Sequence, residues 1–366
     1  MKHKLISVAL ITILLCMVLG NSIGCTSITN YTLTMSSTAG GSVTPAVGAH
    51  TYAATTVVNL TATPNSGYRF VNWTATAGAF GSATAASTTF TMPAQDVTVT
   101  AHFALGTLID NVPDTSQPPT NTLQVPNITN YCAPMAMVNI LGYWDVVMGH
   151  SNAQNLTAFQ QPPNLKTVAE YLGWFMDTNN QGRSTRTNAG QLGTLDVDIG
   201  PGTVEFVRWD ANNQFLLPPP PPPPLPAGKL GYVWTVTTNC TADYGLSLAF
   251  YKTEINAGRP LVVSFTYWNP VSVGINVTDP ETGEVIDVFA WGVNPGSSHD
   301  PNPEEYWSGD VGHAVTGVGY ILNWDPDGSG PLGPANYVIV HDNWATTPKN
   351  IAIPWANWKC LFAVNP

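Results

Sequence analysis

The chain has 366 residues, a formal net charge of −11 and an isoelectric point near 4.8. Because this length exceeds the usual size of one domain, the sequence predicts two folded units together with processing and linker segments. The acidic balance excludes nucleic acid and other polyanions as partners, since the 12 Lys and Arg residues are scattered and form no cluster that could replace phosphate counterions.

The first 25 residues have the features of a secretory signal. Two lysines precede an apolar run over residues 5–20, which is too short and wrongly flanked for a membrane span. Ser22–Cys25 resembles a bacterial lipobox, although Ser22 stands where Leu is usual. Cys25 is therefore predicted to carry a lipid, with plain signal cleavage as the alternative. Either route places the mature protein outside the cytoplasm, secreted or attached to the membrane through a lipidated N-terminal Cys.

Residues 29–104 are predicted to form a small all-β module. Apolar and polar residues alternate with a period of two in five short runs, and turn residues separate the runs. The module resembles the divergent B-repeat of internalin-type surface proteins. The matching segments are Gly40–Pro45, Ala62–Pro64, Gly67–Phe70, Trp73, Phe90–Pro93 and Asp96–Val99. This resemblance implies a surface spacer or a weak binding unit, and the aromatic residues at strand spacing are assigned to core packing.

Residues 105–122 are rich in Pro, Asn, Asp and Thr and are predicted to be a linker. A second domain then spans residues 123–366, interrupted by a proline-rich loop at residues 218–226 that should be extended and exposed. Helices are predicted at Pro134–Trp144, Thr167–Met176 and Leu246–Ala257, and strands at Leu261–Tyr267, Gly274–Thr278, Glu284–Phe289, His313–Leu322, Tyr337–His341 and near Phe362. Helices followed by an antiparallel sheet predict an α+β unit.

Three short segments of the second domain contain the groups of a nucleophilic hydrolase. Cys132 stands at the start of an apolar helix with Pro134 in its first turn, where unpaired amides and the helix dipole are expected to lower the pKa of the thiol. His313 opens a strand of small and branched residues, and Asp342 ends the next strand. In the predicted triad Cys132 attacks, His313 transfers the proton and Asp342 orients the ring, with Asn343 as the rival for the orienting role.

The second domain resembles papain-like cysteine peptidases, most closely the bacteriocin-processing, double-glycine peptidases. The matching segments are Tyr131–Pro134, Glu254–Ser264, Gly312–Val315 and Asp342–Trp344, in that order along the chain. The resemblance implies a multidomain protein in which the all-β repeat precedes an α+β papain-like peptidase domain, and a polypeptide substrate cleaved through a Cys132 thioester. No metal or cofactor is predicted. The alternatives are another thiol acyl-transfer enzyme, of the amidase or transglutaminase-like kind, and a catalytically inactive binding domain.

The oxyanion hole of this family uses a Gln side chain about six residues before the nucleophile, together with the nucleophile's own amide. That position is Pro126 in this chain, so the donor role is assigned to Asn127 or Gln124, with Asn127 preferred. Because loss of one such donor typically costs about 10² to 10³ in rate, activity depends on one of these side chains reaching the site.

Two cysteines remain once the signal, the lipid site and the nucleophile have been assigned. In an oxidising compartment Cys240 and Cys360 can form one disulfide, and the alternative is a pair of small buried apolar residues. The sequence leaves both open. Asp325–Gly330 resembles the opening of a calcium loop, but Asn336 stands where a bidentate Glu is needed, so a turn is predicted there.

Overall fold

The computed structural model describes residues 29–65, 67–116, 131–150, 164–178, 193–208, 234–266, 268–279, 282–292, 312–326 and 332–366. The predicted signal with Cys25, the proline-rich loop at 218–226 and the oxyanion candidates Asn127 and Gln124 lie outside the described residues. Within the ranges given above, no helix is both long and apolar enough to cross a membrane.

Eight strands build the N-terminal β domain. They are β1 (Asn30–Ser37), β2 (Gly41–Thr44), β3 (Gly48–Ala53), β4 (Val57–Pro64), β5 (Tyr68–Ala75), β6 (Ala79–Phe80), β7 (Ser87–Thr91) and β8 (Val97–Leu108). Strands β2, β4, β7 and β6 pair in that order as one sheet, while β1 pairs with β3 and β8, and β8 also pairs with β5. Every second residue of β4 from Val58 to Ala62 is buried, as a period of two requires. Phe70 and Trp73 belong to the apolar core, so these aromatics are packing residues, as predicted.

The rest of the described chain contains four α-helices and eight strands. The helices are α1 (Cys132–Gly142, followed by a π-helical turn at Tyr143–Val147), α2 (Asn164–Phe175), α3 (Asp196–Val207) and α4 (Tyr244–Asn256). The strands are β9 (Thr235–Asn239), β10 (Leu261–Phe265), β11 (Pro270–Thr278), β12 (Val285–Trp291), β13 (His313–Trp324), β14 (Ala335–His341), β15 (Asn350–Pro354) and β16 (Trp358–Asn365). The order across the sheet is β11-β12-β15-β14-β13-β10-β16-β9.

This second part is sheet-rich, and it departs from the predicted succession of helices and then antiparallel strands. Strand β9 precedes α4, and β12 pairs with β15 in parallel. The three predicted helices and six predicted strands are present with shifted ends, but α3, β9 and β15 were not predicted. Helix α3 contains Gly200, Pro201 and Gly202, which are poor helix formers, so its sequence pattern does not indicate a helix.

Helix α1 is the central helix of this part. All of its residues from Ala133 to Gly142 are buried, because the helix packs on α2 and against strands β10 and β13. A helix that is apolar on every side is expected in such a position. Its first residue, Cys132, is the one residue of α1 that stays partly exposed.

Strand β8 belongs to both parts of the molecule. Its last residues, Gly106–Leu108, pair antiparallel with Gly319–Ile321 of β13, and we call this pairing the β8–β13 seam. Side-chain atoms at either glycine would collide with the partner strand, since a Cβ on Gly106 or on Gly319 would lie 2.5 Å from a main-chain oxygen. The segment predicted as a linker from residue 105 therefore begins as strand, and a buried ion pair between Arg69 and Asp279 crosses the same junction.

Candidate active site

Cys132 is the N-terminal residue of α1, and its thiol lies against strand β13. Main-chain donors of Ala314, of Ala133 and of Cys132 itself lie close enough to the sulfur to act on the pKa of the thiol. Burial raises the pKa of the thiol, the main-chain hydrogen bonds oppose that rise, and the negative charge of Asp196 adds to it. The expected lowering of the thiol pKa by the helix N-terminus is therefore outweighed by desolvation.

His313 is the first residue of β13, next to Ala314. Its side chain is buried, and its ring packs against those of Trp268 and Trp344, each with a centroid distance of 5.0 Å. Ring atom Nε2 hydrogen-bonds to the main-chain carbonyl oxygen of Asp342 at 2.9 Å. Burial lowers the pKa of His313 to about 4, although the carbonyl acts in the opposite direction. The ring is therefore neutral at pH 7.

The Nε2 contact also fixes the tautomer of His313. A carbonyl oxygen can only accept, so Nε2 must bear the hydrogen, and in the neutral ring Nδ1 is then the nitrogen that can accept a proton. This assignment follows from the hydrogen-bond partner, as is usual for imidazole rings. A neutral ring with an accepting Nδ1 is the form that a general base requires.

The carboxylate of Asp342 is buried but makes its hydrogen bonds elsewhere. Oδ1 accepts from the main-chain N–H of Trp344 at 3.0 Å and from the Thr347 hydroxyl at 2.5 Å, while Oδ2 has no hydrogen-bond partner within the described part of the chain. Burial raises the pKa of Asp342 to about 7, against the lowering effect of those two hydrogen bonds. The predicted carboxylate contact with His313 is thus replaced by a carbonyl contact from the same residue, because the side chain caps the turn that follows β14.

Asn343, the predicted alternative to Asp342, connects helix α1, which begins at Cys132, to strand β13, which begins at His313. Its Oδ1 accepts from Asn139 Nδ2 at 2.9 Å, and its Nδ2 donates to the carbonyl of Ala314 at 3.2 Å. Asn139 also donates to the Thr316 hydroxyl at 3.1 Å. Asn343 has φ +66°, a conformation that Asn tolerates better than most residues. Sequence reasoning missed Asn139, although a lone amide in an apolar helix indicates a buried hydrogen-bond network.

A carboxylate near the thiol raises its pKa. Asp196, the first residue of α3, accepts a hydrogen bond from Ser264 Oγ at 2.5 Å and pairs with Lys359. Ser264 lies opposite Ala314 in the pairing of β10 with β13, which places this group next to the main chain that contacts Cys132. Sequence reasoning missed Asp196 because α3 itself has no clear helical pattern.

The other predicted site residues fall into two groups. Cys240, just after β9, and Cys360 of β16 form a disulfide with an S–S distance of 2.04 Å. Cys25, Asn127 and Gln124 lie outside the described residues. Among the residues whose positions are given, no group of three His, Cys, Asp or Glu side chains could hold a metal ion.

Comparison with known proteins identifies the N-terminal part. A crystal structure of a Bacillus anthracis protein assigned as a C39-like peptidase is similar at a TM-score of 0.32 and 11% identity, covering 71% of this chain and 98% of that chain. This likeness is too low to support any argument about fold or chemistry. No curated protein matches the chain. Residues 31–107 match the family model described as the Divergent InlB B-repeat domain, so the predicted resemblance of the N-terminal module to a divergent B-repeat is confirmed.

Proposed function

We propose that the second domain is a cysteine peptidase that hydrolyses peptide bonds in an extracytoplasmic polypeptide, with Cys132 as nucleophile and His313 as acid and base. One observation supports this most directly. The main chain of Ala314 contacts the Cys132 sulfur, and the preceding residue, His313, has its ring held through Nε2 by the Asp342 carbonyl. In this proposal three distant segments supply a nucleophile, a base and a group that orients the base.

The pKa directions favour a neutral pair over a preformed thiolate and imidazolium. Burial raises the pKa of Cys132 and lowers the pKa of His313, so both groups are uncharged at pH 7. Proton transfer then accompanies attack: the sulfur bonds to the substrate carbonyl carbon as its proton moves to Nδ1 of His313. Collapse of the tetrahedral intermediate returns that proton to the leaving amine and leaves a Cys132 thioester. Water adds to the thioester with His313 as base, and the thiol departs with the proton.

The oxyanion of the intermediate needs donors close to the sulfur. The main-chain amides of Cys132 and Ala133 already point to the thiol at the first turn of α1, where the helix dipole also favours negative charge. We assign these two amides to the oxyanion hole, with Asn127 or Gln124 as the proposed side-chain donor. The negative charge of Asp196 disfavours an oxyanion near the thiol, and the pairing of Asp196 with Lys359 reduces that effect.

Two features of the N-terminal region support an extracytoplasmic location. Divergent B-repeat domains are typically surface-associated, and the N-terminal domain matches that family. The secretory signal and a lipid on Cys25 belong to the same proposal, in which the B-repeat presents the peptidase at the cell surface. A protein at the cell surface meets secreted or surface polypeptides, which are therefore the proposed substrates.

The proposal is tested with a library of natural peptides and detection of new termini by mass spectrometry. Wild-type protein should generate new termini, and Cys132→Ala and His313→Ala should abolish them. His50→Ala is the matched control, because His50 lies in the B-repeat, outside the proposed active site, and its ring is hydrogen-bonded to the Ala46 carbonyl oxygen. Cleavage that persists in Cys132→Ala, or no cleavage by the wild type, would contradict a cysteine peptidase.

Adding methylamine to the same assay separates the alternatives. A peptidase transfers the acyl group mainly to water, whereas a transglutaminase-like enzyme should leave the backbone uncut and convert a Gln side chain into its methylamide with release of ammonia. A catalytically inactive binding domain gives neither product. Each of the three functions therefore has its own pattern of masses.

A further inference from the structure

A cavity of about 400 Å³ lies where the B-repeat meets the second domain. Its lining comes from the B-repeat, mainly from β5 and β8, and from the end of β13 and the next residue, Asp325, of the second domain. Strand β13 begins with His313 and ends with Trp324, so about 35 Å of extended strand separates the catalytic ring from this cavity. The cavity is therefore distinct from the proposed active site.

Two polar side chains of the lining, those of Trp324 and Asn72, can form hydrogen bonds with a ligand. The indole Nε1 of Trp324 is buried and has no hydrogen-bond partner among the described residues, and the side chain is 2% exposed. An unpaired buried donor costs about 1–3 kcal/mol, so such a group calls for an acceptor that the described protein atoms do not provide. Asn72 of β5 lines the same space and is partly exposed, so its amide can both donate and accept.

The charges of the lining select against an ionic ligand. The lining contains no Lys or Arg, which excludes a preference for anions. Its single carboxylate, Asp325, faces His102, which hydrogen-bonds through Nε2 to the Thr74 hydroxyl at 2.9 Å. Burial lowers the pKa of His102 and Asp325 acts against that lowering, so the imidazole is neutral at pH 7. Because Nε2 is bonded to Thr74, Nδ1 is the ring nitrogen that can bind a ligand.

About half of the lining surface is apolar. Val71, Phe103 and Ala104 belong to the lining, and each is less than a tenth exposed. A ligand that fits must therefore present both hydroxyl or amide groups and C–H groups. Pyranose rings have both kinds of surface, and the volume lies at the lower end of the range for small-molecule sites.

We propose that this cavity binds a neutral saccharide of one or two pyranose units, held by the side chains of Asn72, His102, Trp324 and Asp325. Two of these residues come from the B-repeat and two from the second domain, so the site is complete only when both are joined at the β8–β13 seam. The B-repeat then has a role beyond that of a spacer: it supplies half of a glycan site next to the peptidase. The inference does not depend on the peptidase activity.

The test is calorimetric titration of the full mature chain with glucose, N-acetylglucosamine, cellobiose and chitobiose. At least one of these should bind saturably at millimolar concentration. Asn72→Ala should weaken that binding about tenfold, the equivalent of one lost hydrogen bond of good geometry. Asn59→Ala is the matched control, because Asn59 is an exposed residue of β4 on the other sheet of the B-repeat and should leave the affinity unchanged.

A second variant and two further probes complete the experiment. Trp324→Phe removes the buried Nε1 donor and should also weaken binding, which tests the second half of the cavity. Cadaverine and inorganic phosphate represent cationic and anionic ligands and should not bind. Absence of saturable binding by all four sugars, equal affinity of Asn72→Ala and the wild type, or binding of an ionic probe in place of the sugars would overturn the proposal.

Discussion

His313 donates a hydrogen bond from Nε2 to the main-chain carbonyl of Asp342 at 2.9 Å, so the residue that was expected to orient the ring does so through its backbone. A carbonyl and a carboxylate select the same tautomer, with Nδ1 as the accepting nitrogen. They differ in charge, and a neutral carbonyl therefore stabilises the imidazolium less than an ionised carboxylate would. A neutral His313 with its pKa lowered to about 4 is consistent with the weaker partner.

This relationship predicts a small effect of Asp342→Asn on catalysis. The substitution leaves the main-chain carbonyl in place, and an Asn Oδ1 can accept from Trp344 and Thr347 as the carboxylate does. We expect kcat/KM on a cleaved peptide to fall by less than about tenfold, whereas loss of an orienting carboxylate in a Ser-His-Asp triad costs about 10⁴ in kcat. A loss near the larger value would show that the carboxylate itself acts on His313.

The same variant should change how stability depends on pH. The pKa of Asp342 is about 7 in the folded protein against an ordinary value of 3.8, so the folded state binds the proton more tightly than the unfolded state. Its contribution is fully present below pH 3.8 and is lost as pH rises through 7, a total of about 4 kcal/mol from 1.36 kcal/mol per pKa unit. Asp342→Asn should therefore gain stability relative to the wild type as pH rises over this window.

Urea unfolding at pH 4.5 and pH 7.5 measures this effect as the change in the stability difference between variant and wild type. Asp96→Asn, at an exposed carboxylate of the B-repeat, is the matched control. A stability difference that is the same at both pH values would contradict a protonated Asp342 in the folded protein.

His313 predicts a pH dependence of the opposite sign. Its pKa is about 4 in the folded protein against an ordinary value of 6.5, so its contribution is present above pH 6.5 and is lost as pH falls through 4. The full loss is about 3 kcal/mol. His313→Gln should remove this acid sensitivity, measured as the free energy of unfolding between pH 7 and pH 4, and His50→Gln should not. Equal acid sensitivity of His313→Gln and the wild type would contradict a buried neutral ring.

The sequence was sufficient where side-chain pattern determines structure. The period of two over residues 29–104 predicted the β domain, and Pro134 with its apolar successors placed Cys132 at the start of a helix. It was insufficient where the main chain makes the contact. A hydrogen bond to the Asp342 carbonyl has no residue type associated with it, so the sequence pointed to the nearest carboxylate instead.

Two further features were hidden by composition. Helix α3, which positions Asp196, contains a Gly-Pro-Gly segment that reads as a turn; the fold accepts it because a Cβ at Gly202 would collide with the main chain of Met176. The prolines and polar residues after residue 108 obscured the end of β8 at Leu108 and the seam that joins the two parts. In both places tertiary contacts override a local preference for turns.

The seam itself predicts that Gly319→Ala is destabilising. The new Cβ would lie 2.5 Å from the Thr107 carbonyl oxygen and 3.0 Å from Leu108 Cα, and paired main chains cannot move apart cheaply. We expect a loss of about 1–3 kcal/mol in the free energy of unfolding. Gly245→Ala is the control, since Gly245 is exposed in the first turn of α4 and its Cβ would meet nothing closer than 3.4 Å. Unchanged stability of Gly319→Ala would mean that the two strands are not paired as described.

The disulfide gives the last prediction. Cys240 and Cys360 are 120 residues apart, so their bond restricts a long loop in the unfolded chain, and its removal should cost about 2–5 kcal/mol. Urea unfolding of the purified protein with and without reductant measures this, and the Cys240→Ser/Cys360→Ser variant should be equally stable in both conditions. Because Cys360 follows Lys359, the partner of Asp196, loosening β16 should also disturb the carboxylate beside Cys132. Two free thiols at Cys240 and Cys360, found by non-reducing mass analysis of protein purified without reductant, would contradict the bond.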